Sequence, residues 1–438
     1  MHKKTTLILL LIFASIILKA SSKKNDFVKL FNQAKYYEAV ESANKAIAID
    51  STNFEAWYYK GLSQKALYKF SKATISLEKA VGLTNNKKPV LLALGSAQES
   101  AGSKAMAINT YNKLIAIDST NIPANVRLAK IYRAQKNYGK AVELFSGLVK
   151  LDSTNGYFYS QLAYCCNKYG FTDPVITYYE KAIELNANDF ESCNNLVKEL
   201  TVQKLYEKAA NMADTFLTRF PDNIHLLKQK AYIAALGGTY ADAVKGFEKV
   251  AQLDDSSLFT CKYYGQSLYN NGEYEKAIFW LGRFLDKKPG DFQNQFIMGM
   301  ACQLDYQYIK SIEHLSNALF IEYDKKMISH IFVETGNTWS KYGDYLGFRD
   351  TTGLQAPKKY KLALDNYLLA QELTPDDSKI YRVLGVFYET KMKDAKIALY
   401  YYEKYYQKLD TNKTNEHTLI WIQDKIKRLK EEVHFIGE

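Results

Sequence analysis

The chain has 438 residues, 47% of them hydrophobic, and carries 58 Lys and Arg against 47 Asp and Glu for a formal charge of +11. Length alone would allow several globular domains, and the surplus of cations would bias the surface toward anionic surfaces or acidic partners, diluted over a long chain. There is no compact arginine cluster to mark a nucleic-acid interface.

The first residues, MHKKTTLILLLIFASIILKASSKK, set Lys3 and Lys4 before an apolar run from Leu7 to Leu18, with small residues Ala20, Ser21 and Ser22 after it. That is the order of a secretory signal peptide, and the run is shorter than the roughly 20 residues a spanning helix needs. It predicts export, to the periplasm of a bacterium with two membranes, with residues 1–22 removed. An uncleaved amino-terminal tether is the alternative, because tilt and flanking lysines compensate for a short span. No cysteine follows the run to carry a lipid anchor, and no second membrane candidate is present. Losing Lys3, Lys4 and Lys19 would leave the formal charge at +8, still basic.

From there to residue 322 an interval of 34 governs the chain. Asp50, Thr84, Asp118, Asp152, Asn186, Phe220, Asp254, Lys288 and Glu322 end successive segments, and AIAIDSTN, LIAIDSTN, LVKLDSTN and AIELNAND recur on that frame. Such periodicity marks units that cannot bury their apolar faces alone and must stack on neighbours. Residues 23–413 therefore read as one array. In the unit at 54–87, Trp57, Gly61 and Gln64 or Ala66 mark a first helix, and Ala73, Leu77 and Ala80 share one face of a second. Tyr68 and Lys69 form the turn between them, and Thr84-Asn85-Asn86 ends the unit with capping groups.

Three rows repeat this unit along the frame. Gly61, Gly95, Ala129, Ala163, Val197, Ala231, Gly265 and Gly299 form a small row; Ala39, Ala73, Ala107, Ala141, Val175, Ala209, Ala243 and Ala277 form an alanine row that Ser311 continues; Leu77, Tyr111, Phe145, Tyr179, Ala213, Phe247, Leu281 and Leu315 follow it four residues later. Pro221, Pro289 and Pro375 fall just beyond second helices, where proline stops a helix without breaking it. About eleven units begin near 20, 54, 88, 122, 156, 190, 224, 258, 292, 326 and 378. The tenth carries 18 additional residues around 339–358, with Trp339, Tyr342, Tyr345 and Phe348; they either lengthen both helices over an apolar patch or form a binding loop. Residues 417–433 put Leu419, Ile422, Ile426 and Leu429 on one helix face and Lys425, Lys427, Arg428 and Lys430 on the other. This predicts a capping helix whose basic face meets water, residues 414–438 forming cap and tail.

The units resemble tetratricopeptide repeats, 34-residue helix-turn-helix motifs with a large residue at position 4, Gly or Ala at 8, Ala at 20, an aromatic at 24, Ala at 27 and Pro at 32. Trp57, Gly61, Ala73 and Ala80 fit that pattern, as do Ala243 and Phe247, then Gly265, Ala277 and Pro289, and Gly385; Val175 and Val197 depart from it. The resemblance implies an all-α, right-handed superhelical solenoid whose first helices line a concave groove at positions 2, 5, 9 and 12. Those positions carry Tyr58, Leu62 and Lys65; Val126, Lys130 and Arg133; Tyr157, Tyr164 and Asn167; Asn194 and Lys198; Lys228 and Tyr232; Phe259, Lys262, Gln266 and Tyr269; Phe296, Met300 and Gln303. Cations alternate with rings, and no carboxylate stands among the residues named from Lys130 through Gln303. The expected partner is an extended peptide with acidic side chains, with Lys198, Lys228 and Lys262 pairing with it. Alternatives are a saccharide stacked on tyrosines, or assembly and peripheral envelope association through the insertion and the cap. The Lys-to-Asn spacing of the family's carboxylate-clamp members is absent here, since Gln266 follows Lys262 and Tyr232 follows Lys228.

Nothing points to catalysis. There is no Walker loop, HExxH, GxSxG or kinase signature, hence no cofactor is expected, and Asp118 and Asp152 recur as parts of the same DSTN turn. The six histidines are scattered, and His314 and His330, 16 residues apart, lack ligand spacing. Five cysteines invite a disulfide reading. Cys193 and Cys261 occupy position 4, and Cys166 and Cys302 occupy position 11, where other units carry Trp57, Leu227, Leu200 and Leu268. They read as small buried hydrophobes, with one disulfide as the alternative and no spacing suited to zinc.

Overall fold

The DSTN word explains how one unit ends and the next begins. In the computed structural model, which describes residues 26–349, 353–410 and 414–436, Asp50 accepts hydrogen bonds on Oδ1 from the Thr52 amide and hydroxyl at 3.0 and 2.6 Å. Three residues on, Asn53 Oδ1 accepts from the Ala56 amide at 3.1 Å and caps the next helix. Asn121 and Asn223 repeat the cap at 3.1 Å. At residues 50–53 and 118–121 one side chain closes a helix and another opens its successor, whereas Asn155 of the third copy makes no side-chain cap.

The chain divides into two compact units, residues 1–202 and 203–438. The first holds α1 (Asp26–Asn32), α2 (Tyr36–Ile49), α3 (Phe54–Ala66), α4 (Phe70–Leu83), α5 (Lys88–Ser100), α6 (Lys104–Ile117), α7 (Ile122–Ala134), α8 (Tyr138–Leu151), α9 (Gly156–Tyr169), α10 (Asp173–Leu185) and α11 (Phe190–Val202). The second holds α12 (Tyr206–Leu217), α13 (Ile224–Leu236), α14 (Tyr240–Gln252), α15 (Leu258–Asn270), α16 (Tyr274–Leu285), α17 (Phe292–Leu304), α18 (Tyr308–Ile321), α19 (Lys325–Gly347), α20 (Gln355–Leu373), α21 (Ser378–Phe387), α22 (Ala395–Lys408) and α23 (Glu416–Ile436). The described residues are thus an all-α stack of paired helices ending in an extra helix. The amino-terminal export segment, residues 1–22, lies outside the described residues. Among the described residues no helix is long and apolar enough to cross a membrane.

Packing within a pair follows from the small and large rows. A Cβ built on Gly61 would stand 2.5 Å from Leu77 Cγ, and one on Gly95 would stand 2.5 Å from Tyr111 Cε1. At these pairs the helices approach closely where the first helix lacks a side chain. The alanine row is buried throughout, Ala39, Ala73, Ala107, Ala141, Ala209, Ala243 and Ala277 all being fully enclosed. The turn between paired helices repeats too: Ala34, Tyr68, Gly102, Lys136, Gly170, Lys204, Gly238, Gly272 and Tyr306, each 34 residues from the last, all have positive φ. At Tyr68 the amide of Lys69 bonds back to the Gln64 carbonyl at 2.8 Å, satisfying a helix-end acceptor and holding a bulky residue where glycine is favoured.

The tenth pair shows where its additional residues go. Gly336, whose Cβ would meet Tyr367 Cε1 at 2.5 Å, is the small residue of this pair, and it lies 37 rather than 34 residues after Gly299. Three of the 18 residues therefore precede it. The rest lengthen the hairpin, α19 having 23 residues and α20 having 19. Tyr308 stacks on Tyr342 at 5.4 Å and meets Tyr345 at 5.8 Å. Across the hairpin, Tyr360 Oη and Lys391 Nζ donate to Asp344 Oδ1 at 2.7 and 2.6 Å. Of the two readings of the insertion, lengthened helices are the observed one.

Between α21 and α22 the chain forms a single π turn, Tyr388–Met392. Gly385 and Tyr402, which pack as small and large partners, are 17 residues apart where Gly61 and Leu77 are 16 apart. One added residue has been absorbed as a π turn. It presents Glu389, which accepts from Tyr402 Oη at 2.8 Å and from Lys425 Nζ at 2.6 Å and is also bound by Arg428. Ile422 and Leu429 of α23 are buried and Lys427, Arg428 and Lys430 are exposed, as predicted for a cap; half-buried Lys425 is held on Glu389, which Arg428 also reaches, and Lys430 pairs with Glu403 at 2.9 Å.

Candidate interaction surface

Of the first-helix residues predicted to line a groove, Lys130, Tyr157, Asn167 and Lys198 are exposed, most others are half-buried, and Gln303 is buried against Thr338 and Lys341. In the unit of residues 1–202, Tyr58 is half-buried with its ring 5.4 Å from Tyr59, and burial pushes its hydroxyl pKa up. Lys65 of α3 donates to Ser96 Oγ of α5. Its ammonium pKa is lowered by burial first and by Arg127 second. Lys130 of α7 rests over the Tyr157 ring of α9 at 5.2 Å, and Arg133 lies 5.7 Å from the Tyr164 ring while bonding Gln161 Oε1. Lys168 approaches the same Tyr164 at 5.8 Å. Exposed Asn167 donates to the buried Glu199 of α11. Lys198 is exposed, and half-buried Asn194 has an Oδ1 without a protein donor. Cations here lean on aromatic faces, an arrangement that leaves the ammonium partly hydrated and its charge uncompensated.

In the unit of residues 203–438, two lysines predicted for the same face meet carboxylates. Lys228 Nζ lies 2.6 Å from Asp255 Oδ2, the two side chains being 16% and 12% exposed. Lys262 Nζ lies 3.4 Å from Asp291 Oδ2. Both acids come from the turn that precedes the next first helix, and Asp291 also caps α17 through the Asn294 amide at 3.1 Å. Lys228 and Lys262, predicted to pair with a partner's acid, each hold a carboxylate of their own chain. Tyr232, Phe259 and Tyr263 form a ring cluster with centroids 4.4 to 5.4 Å apart. Tyr269 packs near Tyr274 at 6.1 Å, and Phe296 stands against His330 at 5.5 Å. Gln266 donates to Asn294 Oδ1 at 2.9 Å.

In the insertion, Trp339, Tyr342 and Tyr345 are half-buried and face one another and Lys359. Phe348, at 91% exposure, does not join them. The five cysteines are buried thiols outside any disulfide. Burial pushes the thiols of Cys165 and Cys302 up to about 11, so neither is a ready thiolate. Half-buried His314 donates from Nδ1 to Gln295 Oε1 at 2.8 Å, and desolvation lowers its pKa. Among the described residues, no group of three His, Cys, Asp or Glu side chains is placed to hold a metal ion.

Residues 122–155, which are α7, α8 and the turn beyond them, match the tetratricopeptide repeat model. The same small-to-large packing and left-handed turn run through the pairs on either side. Residues 122–155 are thus a tetratricopeptide repeat within an array of similarly packed pairs. No curated protein sequence matches it. Among solved structures, the C-terminal part of a repeat-containing protein from Cytophaga hutchinsonii is 16% identical and has a TM-score of 0.47, over 55% of this chain and 98% of that one. A tetratricopeptide repeat protein from Parabacteroides merdae is 15% identical with a TM-score of 0.39, over 57% and 98%. YrrB, a TPR protein with an unusual peptide-binding site, is 17% identical with a TM-score of 0.39, over 42% and 95%. At such identities the likeness is one of fold. The repeat array supplies what an interaction scaffold needs: rigid paired helices and a long surface of exposed first-helix side chains.

Proposed function

We propose that this chain is an exported, non-catalytic scaffold that holds an acidic, aromatic-rich peptide segment on the first-helix face of residues 1–202. The observation that carries the reading is that Lys130 and Arg133 rest on Tyr157 and Tyr164 rather than on carboxylates. A carboxylate brought to Lys130 would gain an ion pair beside an aromatic wall, and the tyrosines would give a segment's rings something to pack on. Lys198, exposed on α11, extends the same face. Export rests on the order of the first 22 residues, Lys3 and Lys4 before the apolar run and small residues after it.

A fluorescently labelled 12-residue peptide of alternating Glu and Tyr tests the face directly. It should bind the full chain with an affinity that falls as salt rises. The triple variant Lys130→Glu, Arg133→Glu, Lys198→Glu should lose at least about tenfold, or roughly 1.4 kcal/mol. Undiminished binding by the triple variant would sink the reading. Amino-terminal sequencing of the protein recovered from an envelope extract tests the export, since an intact Met1 in a soluble cytoplasmic fraction contradicts it.

A further inference from the structure

On the other side of α13, a groove of about 780 Å3 runs between α12 and α14, with Leu227, Ala231 and Ile233 buried at its base. The repeat frame shows why it is open. The position of Ala210 carries Val40, Thr74, Ile108, Val142, Ile176, Val244, Ile278 and Ile312 in eight other pairs, β-branched every time. The position of Ala234 carries Gln64, Gln98, Tyr132, Cys166, Leu200, Leu268 and Cys302 elsewhere. Two side chains that fill this space in the other repeats have been cut back to methyl groups, and both line the groove. Close packing does not require it, because neither is the residue on which the helices meet: that is Gly246, whose Cβ would stand 2.8 Å from Ala231 Cβ.

The two walls differ in charge: Glu207 and Asp214 stand on α12, whereas Lys245 and Lys249 stand on α14 with Asp242 at its amino-terminal end, all five exposed. Lys230 at the floor's edge pairs with Asp214, and Lys249 lies 3.5 Å from Asp222. The wall of α12 from Tyr206 to Leu217 is about 16 Å long at 1.5 Å per residue, room for three turns of a helix.

We propose that this groove receives an amphipathic helix from another protein, with a narrow apolar stripe flanked by cations on the α12 side and by carboxylates on the α14 side. A helix is favoured over an extended segment because it satisfies its own backbone. The floor is Leu217, Leu227, Ile233 and alanines, and the amides and carbonyls of the helices around it are spent within those helices. An extended chain would bring its own N–H and C=O groups against apolar carbon without partners. The small floor residues let a helix sit close, and the opposed walls fix which way it points.

The test uses the full chain with Asp242→p-benzoylphenylalanine at the groove rim, irradiated in the cells that make it. The expected result is one protein adduct whose crosslinked segment has helical apolar spacing with opposite charges on its two flanks. Ala210→Ile with Ala234→Leu, which restores what the other repeats carry, should cut the adduct at least tenfold with Tm unchanged or raised. If that double variant melts lower, Lys245→Glu, a change at an exposed side chain, carries the test and should reduce the adduct at least threefold. The proposal is overturned by no adduct, by an adduct that survives both variants, or by crosslinking to lipid, to a second copy of this chain or to a segment without helical spacing. Binding of the acidic peptide to residues 1–202 should be unchanged in the filled variant, so the two surfaces fail or stand separately.

Discussion

Lys130 and Lys228 are both lysines of first helices, and they end in different company. Lys228 sits at the fifth position of its repeat, beside the turn that opens the next helix, and finds Asp255 there. Lys130 sits at the ninth, one helical turn farther along and out of reach of that turn, and finds the Tyr157 ring instead. Position within the repeat thus decides whether a cation is compensated. Capping turns are rich in acids because acids cap helices, so lysines near them are neutralised as a by-product of the fold.

The comparison is broken outright by Gly95→Leu, which drives a side chain into Tyr111 and should cost about 3 kcal/mol or more in chemical denaturation. The face of residues 1–202 would then lose its peptide through misfolding, so melting must accompany every binding measurement. Next in size is Lys228→Met, which strands Asp255 at 12% exposure and should cost about 2 kcal/mol, between the values for exposed and buried pairs. Lys130→Met should change stability by less than about 0.5 kcal/mol, because it abandons only an exposed ring contact. A Lys130 variant as destabilised as the Lys228 one would erase the distinction.

The smallest effect is a pH dependence. Burial pushes the Asp255 carboxyl up, but hydrogen bonds from Lys228 and Ser257 outweigh it and hold the group below its ordinary value. A depressed folded-state pKa stabilises the protein above the unfolded pKa of about 4, and that contribution is lost as pH falls through the folded value. The stability gap between the native chain and Asp255→Asn should therefore be full at pH 6 and narrow below pH 4. A gap constant from pH 6 to 3 would show that the carboxylate's charge is not what matters.

Much of this was legible in the sequence, for a definable reason. Paired packing depends on residues 16 apart, such as Gly61 and Leu77, so a repeat period exposes it. The buried cysteines follow from the same register, and the apolar face of α23 follows from its own helical spacing. The fate of the lysines was not legible, because Lys228 and Asp255 are 27 residues apart and Lys262 and Asp291 are 29 apart, in no common row. Gly336 carried a missed signal: a glycine three residues out of frame, marking where the added residues begin. The left-handed turns at Tyr68, Lys136 and Tyr306 were hidden by residues that do not favour that conformation, and only their spacing betrays them.

The π turn at Tyr388–Met392 turns a miscount into an address. Deleting one residue there would restore the interval kept by the other pairs, with Gly385 and Tyr402 still able to meet. Glu389 would then rotate by about 100° about the helix axis, away from Lys425 and Arg428. The last helix would keep its apolar seat under Ile422 and Leu429 but lose the latch that tells it where along that seat to stop. An array whose units are nearly interchangeable needs some mark to distinguish its final position from all the others, and here a single surplus residue provides it.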